Sequence, residues 1–213
     1  ELGAGDDFVG MLANGTSGDV NAIDFSKPAE TFAPFERMRE VGEDLARRGG
    51  AIIRQIDHGE VTALTARERI LKLRVRKPDQ ARLAWAIETA VPSGSPLRRT
   101  RPQVYAKEAL ALAGYPDEVN VRIQAVRIGE LGIVAIPCEV FAETGLAIKT
   151  AGIFPSTIVM ELANGYHGYL PTAQQHQWGG YETWPARSAY LELGAEAEIR
   201  QAALELLEEL AGI

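Results

Sequence analysis

A chain of 213 residues with 46% hydrophobic content has enough length and apolar mass to bury the core of one large domain, or of a domain and a half. Its net charge of −7 argues against a dedicated nucleic-acid binder, which needs a basic face, and no apolar run reaches the length of a membrane span. The single cysteine, Cys138, excludes an internal disulfide and leaves the compartment open.

The chain begins at Glu1 with no visible signal peptide, and we expect either a processed start or further residues upstream. After seven polar or small residues, Phe8–Ala13 is a short apolar run closed by Asn14-Gly15-Thr16-Ser17-Gly18-Asp19. That pattern predicts a buried strand ending in a tight loop. From Phe35, the positions Phe35, Met38, Val41, Leu45, Ile52, Ile53 and Ile56 keep helical spacing, although Gly49-Gly50 weakens the later turns. Leu71, Leu73 and Val75 alternate with Lys72, Arg74 and Arg76, the period of a half-buried strand. Asp79–Val91 and Pro102–Leu112 read as helices on either side of a loop, and the basic stretch Arg98–Arg101 reads as a solvated turn.

Val119, Val121, Ile123 and Ala125 alternate, Gly129-Glu130 turns the chain, and Leu131–Ile136 is continuously apolar, which together predict a hairpin. Val140–Ala151 reads as a helix and Thr157–Ala163 as a further buried strand. Asn164–Arg187 is rich in aromatics, Gly, Gln and His and shows no period, which in a compact domain points to function. Ile199, Ala202, Ala203, Leu206, Leu207 and Leu210 define a closing amphipathic helix. The mixed order of strands and helices gives an α/β class, with a mixed sheet and flanking helices.

Three apolar strands each deliver the chain into a loop of polar and small residues: Phe8–Asn21, Leu131–Glu139 and Thr157–Tyr181. Polar groups at strand ends are where α/β folds place their sites. In the first loop Gly15 and Gly18 permit sharp turns, and its N–H groups suit either an anion nest or a plain turn. Asn14-Gly15-Thr16 also fits a glycosylation acceptor, a pattern too common to weigh. Glu139 ends an apolar strand, where its carboxylate must be solvated, paired, bound to a cation or used as a helix cap. Cys138 beside it reads as a small buried apolar residue rather than a nucleophile. The third loop holds Tyr166, His167, Tyr169, His176, Trp178, Tyr181 and Glu182. From residue types alone, His167, His176 and Glu139 form a candidate metal site, although their spacing matches no standard zinc motif. His58 reads as a surface residue.

Three ordered blocks carry a resemblance: Gly18-Asp19-Val20, Ile136-Pro137-Cys138-Glu139, and Asn164…Tyr169 through Gly180-Tyr181-Glu182. With these blocks the chain resembles the neutral, non-lysosomal ceramidases and their ceramidase-like relatives, from Phe8 to the final helix. The resemblance implies that residues 1–213 are the C-terminal part of a ceramidase-like catalytic domain. It implies an active-site zinc, with Glu139 and Tyr169 as metal ligands and Tyr181 as a further active-site tyrosine. Cys138 stands where the family has glycine. The family's two histidine ligands belong to an N-terminal segment with no counterpart here, and His58, His167 and His176 do not match them. Asn21 follows the Gly-Asp-Val block where the family has its serine, and Ala22 stands where it has proline. An amide cannot replace a hydroxyl that attacks or is polarised by zinc.

The expected function is therefore a zinc-dependent hydrolase that cleaves an amide, such as an N-acyl lipid, once joined to the N-terminal segment of the same protein. Tyr181, Asp19 and Asn21 are the expected catalytic residues, with Gly18, Tyr166 and His167 lining the substrate. The resemblance suggests a secreted or periplasmic location. The rival reading is a non-catalytic binding or scaffold domain that keeps the fold without a complete metal site. A third is a self-contained metalloenzyme using His167 and His176.

Overall fold

The computed structural model describes residues 9–28, 30–56, 63–90 and 100–213. His58 and Arg98–Arg99 lie outside the described residues. The chain divides into two units, one holding residues 9–12 and 21–56, the other residues 13–20 and 63–213.

In the first unit, helix α1 (Glu36–Ile53) follows the predicted spacing and runs through Gly49-Gly50 without a break. Met38, Val41, Leu45 and Ile52 on its apolar stripe are exposed, and Gly50 is buried. The predicted strand at Phe8–Ala13 is not formed in its described part. Among the described residues, 9–13 have no strand partner, and Met11 is 93% exposed. An apolar run becomes a strand only where a neighbour accepts its ladder of hydrogen bonds.

The second unit is built on a four-stranded sheet in the order β1-β2-β3-β5, from β1 (Leu64–Arg74), β2 (Glu118–Ile128), β3 (Leu131–Ala135) and β5 (Ser156–Met160). β1 and β2 pair antiparallel along their full length, from Leu64↔Ile128 to Arg74↔Glu118. Gly129-Glu130 closes the β2–β3 hairpin, and Gly129 takes a φ of 58° that favours glycine. β3 and β5 run parallel, joined through helix α4 (Ala142–Thr150), because parallel neighbours need a crossover.

Helix α6 (Ala195–Ala211) packs across β1, β2 and β3, and α4 packs against β5. Period-two strand residues Leu73, Val121, Ile123, Val134 and Val159 meet Ile199, Ala203, Leu206, Leu207 and Leu210 of α6 in one core. Each fully buried aliphatic contributes about 1.5–3 kcal/mol of transfer free energy. Helices α2 (Gln80–Thr89) and α3 (Arg101–Ala113) pack on each other through Ala86, Ala106 and Ala109. Asp79 caps α2 by accepting the Arg82 N–H at 2.7 Å. The expected buried strand Thr157–Ala163 is shorter and is an edge: in β5 only Val159 is buried, and Ile158 is 42% exposed.

Two short parallel strands, β4 (Glu139–Val140) and β6 (Tyr169–Leu170), form a separate ladder. Between β6 and α6 lie helix α5 (Ala173–Trp178) and a 3₁₀ turn at Tyr181–Thr183, which give local order to the segment that showed no sequence period.

Candidate active site

β3 and β5 are parallel, so both chains leave the sheet at the same end. Backbone bonds continue past their ends, from Ile136 N–H to Met160 O at 2.9 Å and from Leu162 N–H to Cys138 O at 3.0 Å. The site lies beyond this end, outside the carboxyl ends of parallel strands, where α/β folds collect ligands. Leu162 and Asn164 take φ values of 53° and 66°, which are costly for residues with a Cβ. Backbone strain of this kind concentrates at functional sites.

Glu139 and Tyr169 are direct partners in the β4–β6 ladder. The pairing is fixed by Glu139 N–H to Gly168 O at 2.8 Å and Tyr169 N–H to Ser188 O at 2.8 Å. Gly168 has a φ of 79°, and a Cβ there would lie 2.3 Å from the Ser188 carbonyl oxygen, so only glycine lets these backbones approach. Tyr166 donates its O–H to Glu139 Oε1 at 2.8 Å. The Tyr181 ring stands edge-on to Tyr169, with centroids 5.6 Å apart at 85°.

One carboxylate is thus ringed by phenols. Burial raises the Tyr169 hydroxyl far above its ordinary range, and the neighbouring Tyr181 hydroxyl and Glu139 carboxylate add to the effect. Tyr166 is pushed up to about 12, by burial first and then by its hydrogen bond to Glu139. Both phenols keep their protons beside a negative charge, and a nearby cation would reverse that preference.

The first loop is tied to the same place by a residue that sequence reasoning missed. Glu161, buried at the end of β5, accepts the Ser17 N–H at 3.0 Å and the Val140 N–H at 2.9 Å. It also accepts the Ser17 hydroxyl. Its signal is the one that singles out Glu139, a carboxylate closing an apolar strand, but the apolar pattern places it inside the expected strand Thr157–Ala163. Gly18 donates its N–H to Val140 O at 2.8 Å, and a Cβ on Gly18 would sit 2.4 Å from the Glu139 carbonyl oxygen. Asp19 accepts the Ala142 N–H at 2.7 Å and so caps α4, the role that Glu139 was a candidate for. Asn21 belongs to the first unit, where it is exposed.

His167 does not join the phenol cluster. Its Nδ1 is 2.6 Å from the Tyr190 hydroxyl, and burial lowers its pKa. His176 lies in α5, and its pKa is lowered by burial and then by the positive charge of Arg76. The metal site read from residue types alone is not formed: among the described residues, no three His, Cys, Asp or Glu side chains come together to hold a metal. Cys138 is fully buried with its thiol pushed far up by burial, which fits its reading as an apolar residue.

No family model matches the chain, and no curated protein matches it in sequence. Among solved structures it is similar to the crystal structure of neutral ceramidase from Pseudomonas aeruginosa. The TM-score is 0.60 at 17% identity, over 94% of this chain and 37% of that one. A structure described as ceramidase complexed with C2 aligns at a TM-score of 0.56 and 17% identity, over 85% of this chain and 35% of that one. The chain has the fold of part of a neutral ceramidase. The mixed α/β class expected from the sequence is the one observed, and the family resemblance read from the three blocks holds as a likeness of fold. The chain spans little more than a third of the length of these neighbours.

Proposed function

We propose that this chain is part of a zinc-dependent hydrolase of the ceramidase type that cleaves an amide bond in an N-acyl lipid or a related substrate. The observation that carries the reading is the meeting of Glu139, Tyr166, Tyr169 and Tyr181 beyond the ends of two parallel strands. The donor set fits half of a zinc shell. Glu139 and Tyr169 offer two oxygens from one rung of a ladder, whereas catalytic zinc takes three protein ligands, usually with imidazole among them. The remaining ligands are proposed to come from another segment of the same protein. Zinc bound there would supply Lewis acidity to the scissile carbonyl.

The chain's own residues do the positioning. Tyr166 fixes the rotamer of Glu139 through its hydrogen bond. Tyr169 is placed to shift its proton only when positive charge arrives, since its hydroxyl is otherwise held neutral. Tyr181 is 51% exposed and packs on Tyr169, so its hydroxyl is available to a substrate oxygen that gains negative charge. The Gly18 loop and Glu161 hold β4 in register beneath them. Asn21 stands where the resembled family has its serine, and this favours an amide substrate other than ceramide itself.

The test uses the full-length protein, its metal content and hydrolysis of a panel of N-acyl lipids. Glu139→Gln is expected to lose most of the zinc, and Tyr181→Phe to keep the zinc while losing about 100-fold or more in kcat/KM. A full-length protein that binds no zinc and hydrolyses no amide would leave the scaffold reading in its place.

A further inference from the structure

A cleft in the same unit holds none of the residues of the phenol cluster. It has a volume of about 640 Å3 and lies between α2 and α3, closed by the Arg76–Asp79 segment and by Trp184. Its volume is that of a small-molecule site rather than of a single ion.

The walls combine cations with aromatic rings. The Arg82 guanidinium lies 4.0 Å from the centroid of Trp85, and that of Arg101 lies 5.4 Å from Trp184. Tyr105 meets Trp184 edge-on at 5.0 Å. The expected solvated turn at Arg98–Arg101 is, in its described part, one wall of this cleft.

Arg76 is the deepest cation. Its two terminal nitrogens donate to neutral carbonyls, Thr183 O at 2.9 Å and Ala189 O at 2.5 Å. Its Nε is buried and has no hydrogen-bond partner. A buried donor on a charged group is costly to leave unmet. Burial lowers the Arg76 pKa to about 10. The acidic side chain on the wall is Asp79, and it is engaged with the Arg82 N–H as the α2 cap. Lys77 is paired with Asp117 at 2.8 Å.

We propose that this cleft binds an organic anion, a carboxylate or phosphate ester carried on an apolar body. The acid group is drawn to Arg76, Arg82 and Arg101, and the body lies against Trp85, Tyr105 and Trp184. Guanidinium forks suit the paired oxygens of both acid groups, and the indole faces give apolar area without flexible side chains. The site does not depend on the hydrolase reading, because none of its residues belongs to the phenol cluster.

Calorimetric titration of the full-length protein tests it with octanoate, octyl phosphate, octanol and inorganic phosphate. At least one of the two octyl anions is expected to bind, with octanol and inorganic phosphate each about tenfold weaker or more. Arg82 and Arg101 are exposed and outside the core, so Arg82→Gln with Arg101→Gln should leave the fold intact, and circular dichroism checks this. The double variant is expected to raise Kd about tenfold, while Trp85→Ala weakens the octyl anions and leaves inorganic phosphate unchanged. Octanol binding as tightly as octanoate would reduce the cleft to an apolar groove and overturn the proposal. So would unchanged affinity in the folded double variant, or no heat with either anion up to its solubility limit.

Discussion

Gly18 shows how closely single atoms define this site. Its missing Cβ leaves room for the Glu139 carbonyl oxygen, which would otherwise be 2.4 Å away, and the obstacle is backbone that cannot swing aside. Gly18→Ala is expected to lower stability by about 1–3 kcal/mol, the usual cost of overpacking, and to displace β4 with Glu139. Thermal denaturation gives the first quantity and zinc content of the full-length protein the second. His167 and His176 carry a pH prediction. Both have pKa values below the ordinary 6.5, because burial favours the neutral ring. Unfolding then takes up protons between pH 6.5 and the lowered folded values, so stability is complete above that window and falls as the pH drops through it. The urea midpoint should be lower at about pH 5.5 than at about pH 7.5, and His167→Gln should flatten the difference. Carboxylates such as Glu108, held low by Arg187, lose their contribution only below about 4.5 and do not confuse this range. At this scale Glu139 stands out locally, as a carboxylate after an apolar strand, whereas Tyr169 and Tyr181 are singled out by the family resemblance. Residue types alone point to His167 and His176, which do not join Glu139. Glu161 and the Arg76 cleft were not legible. Their meaning lies in partners more than a hundred residues away, Ser17 for the one and Thr183 for the other.

Elements whose apolar period was both clear and answered by a neighbour were readable from sequence. The β2–β3 hairpin pairs as expected, with Gly129 at the turn, and α6 buries the same stripe that its spacing marks. Thr157–Ala163 has the composition of a central strand yet becomes the edge strand β5. Burial depends on a second neighbour, which composition does not encode. Residues 9–13 fail as a strand for the same reason. The α4 cap is a tertiary version of a local rule. Asp19, 123 residues away in sequence, accepts the Ala142 N–H that a neighbouring side chain usually takes. Asp19→Ala is expected to cost about 0.5–2 kcal/mol, and Asp19→Asn less, because an amide oxygen still accepts the bond. Chemical denaturation of the three proteins measures both differences, and equal losses for Ala and Asn would show that the carboxylate acts through its charge.

At the scale of the whole molecule, the fold matches part of a neutral ceramidase while leaving apolar surface uncovered. The edge strand β5, Ser-Thr-Ile-Val-Met, carries no charge, whereas the opposite edge β1 is guarded by Arg67, Glu68, Arg69 and Lys72. An uncharged edge invites pairing, and charged residues discourage it. The apolar stripe of α1 is likewise exposed. Under the hydrolase reading, further segments of the same protein cover these surfaces and complete the zinc shell. The 213 residues expressed alone are therefore expected to bind zinc poorly, and the full-length protein to bind it near one equivalent. Two oxygen donors make an incomplete shell, and Tyr169 resists ionisation until metal charge is already held in place. Elemental analysis after dialysis decides the matter, with Glu139→Gln in the full-length protein as the control. One equivalent of zinc in the isolated 213 residues, lost with His167→Ala and His176→Ala but kept in Glu139→Gln, would move the metal to the histidine loop. That result would require His167 to leave Tyr190 and His176 to leave the neighbourhood of Arg76, a rearrangement visible as altered tyrosine fluorescence on adding zinc.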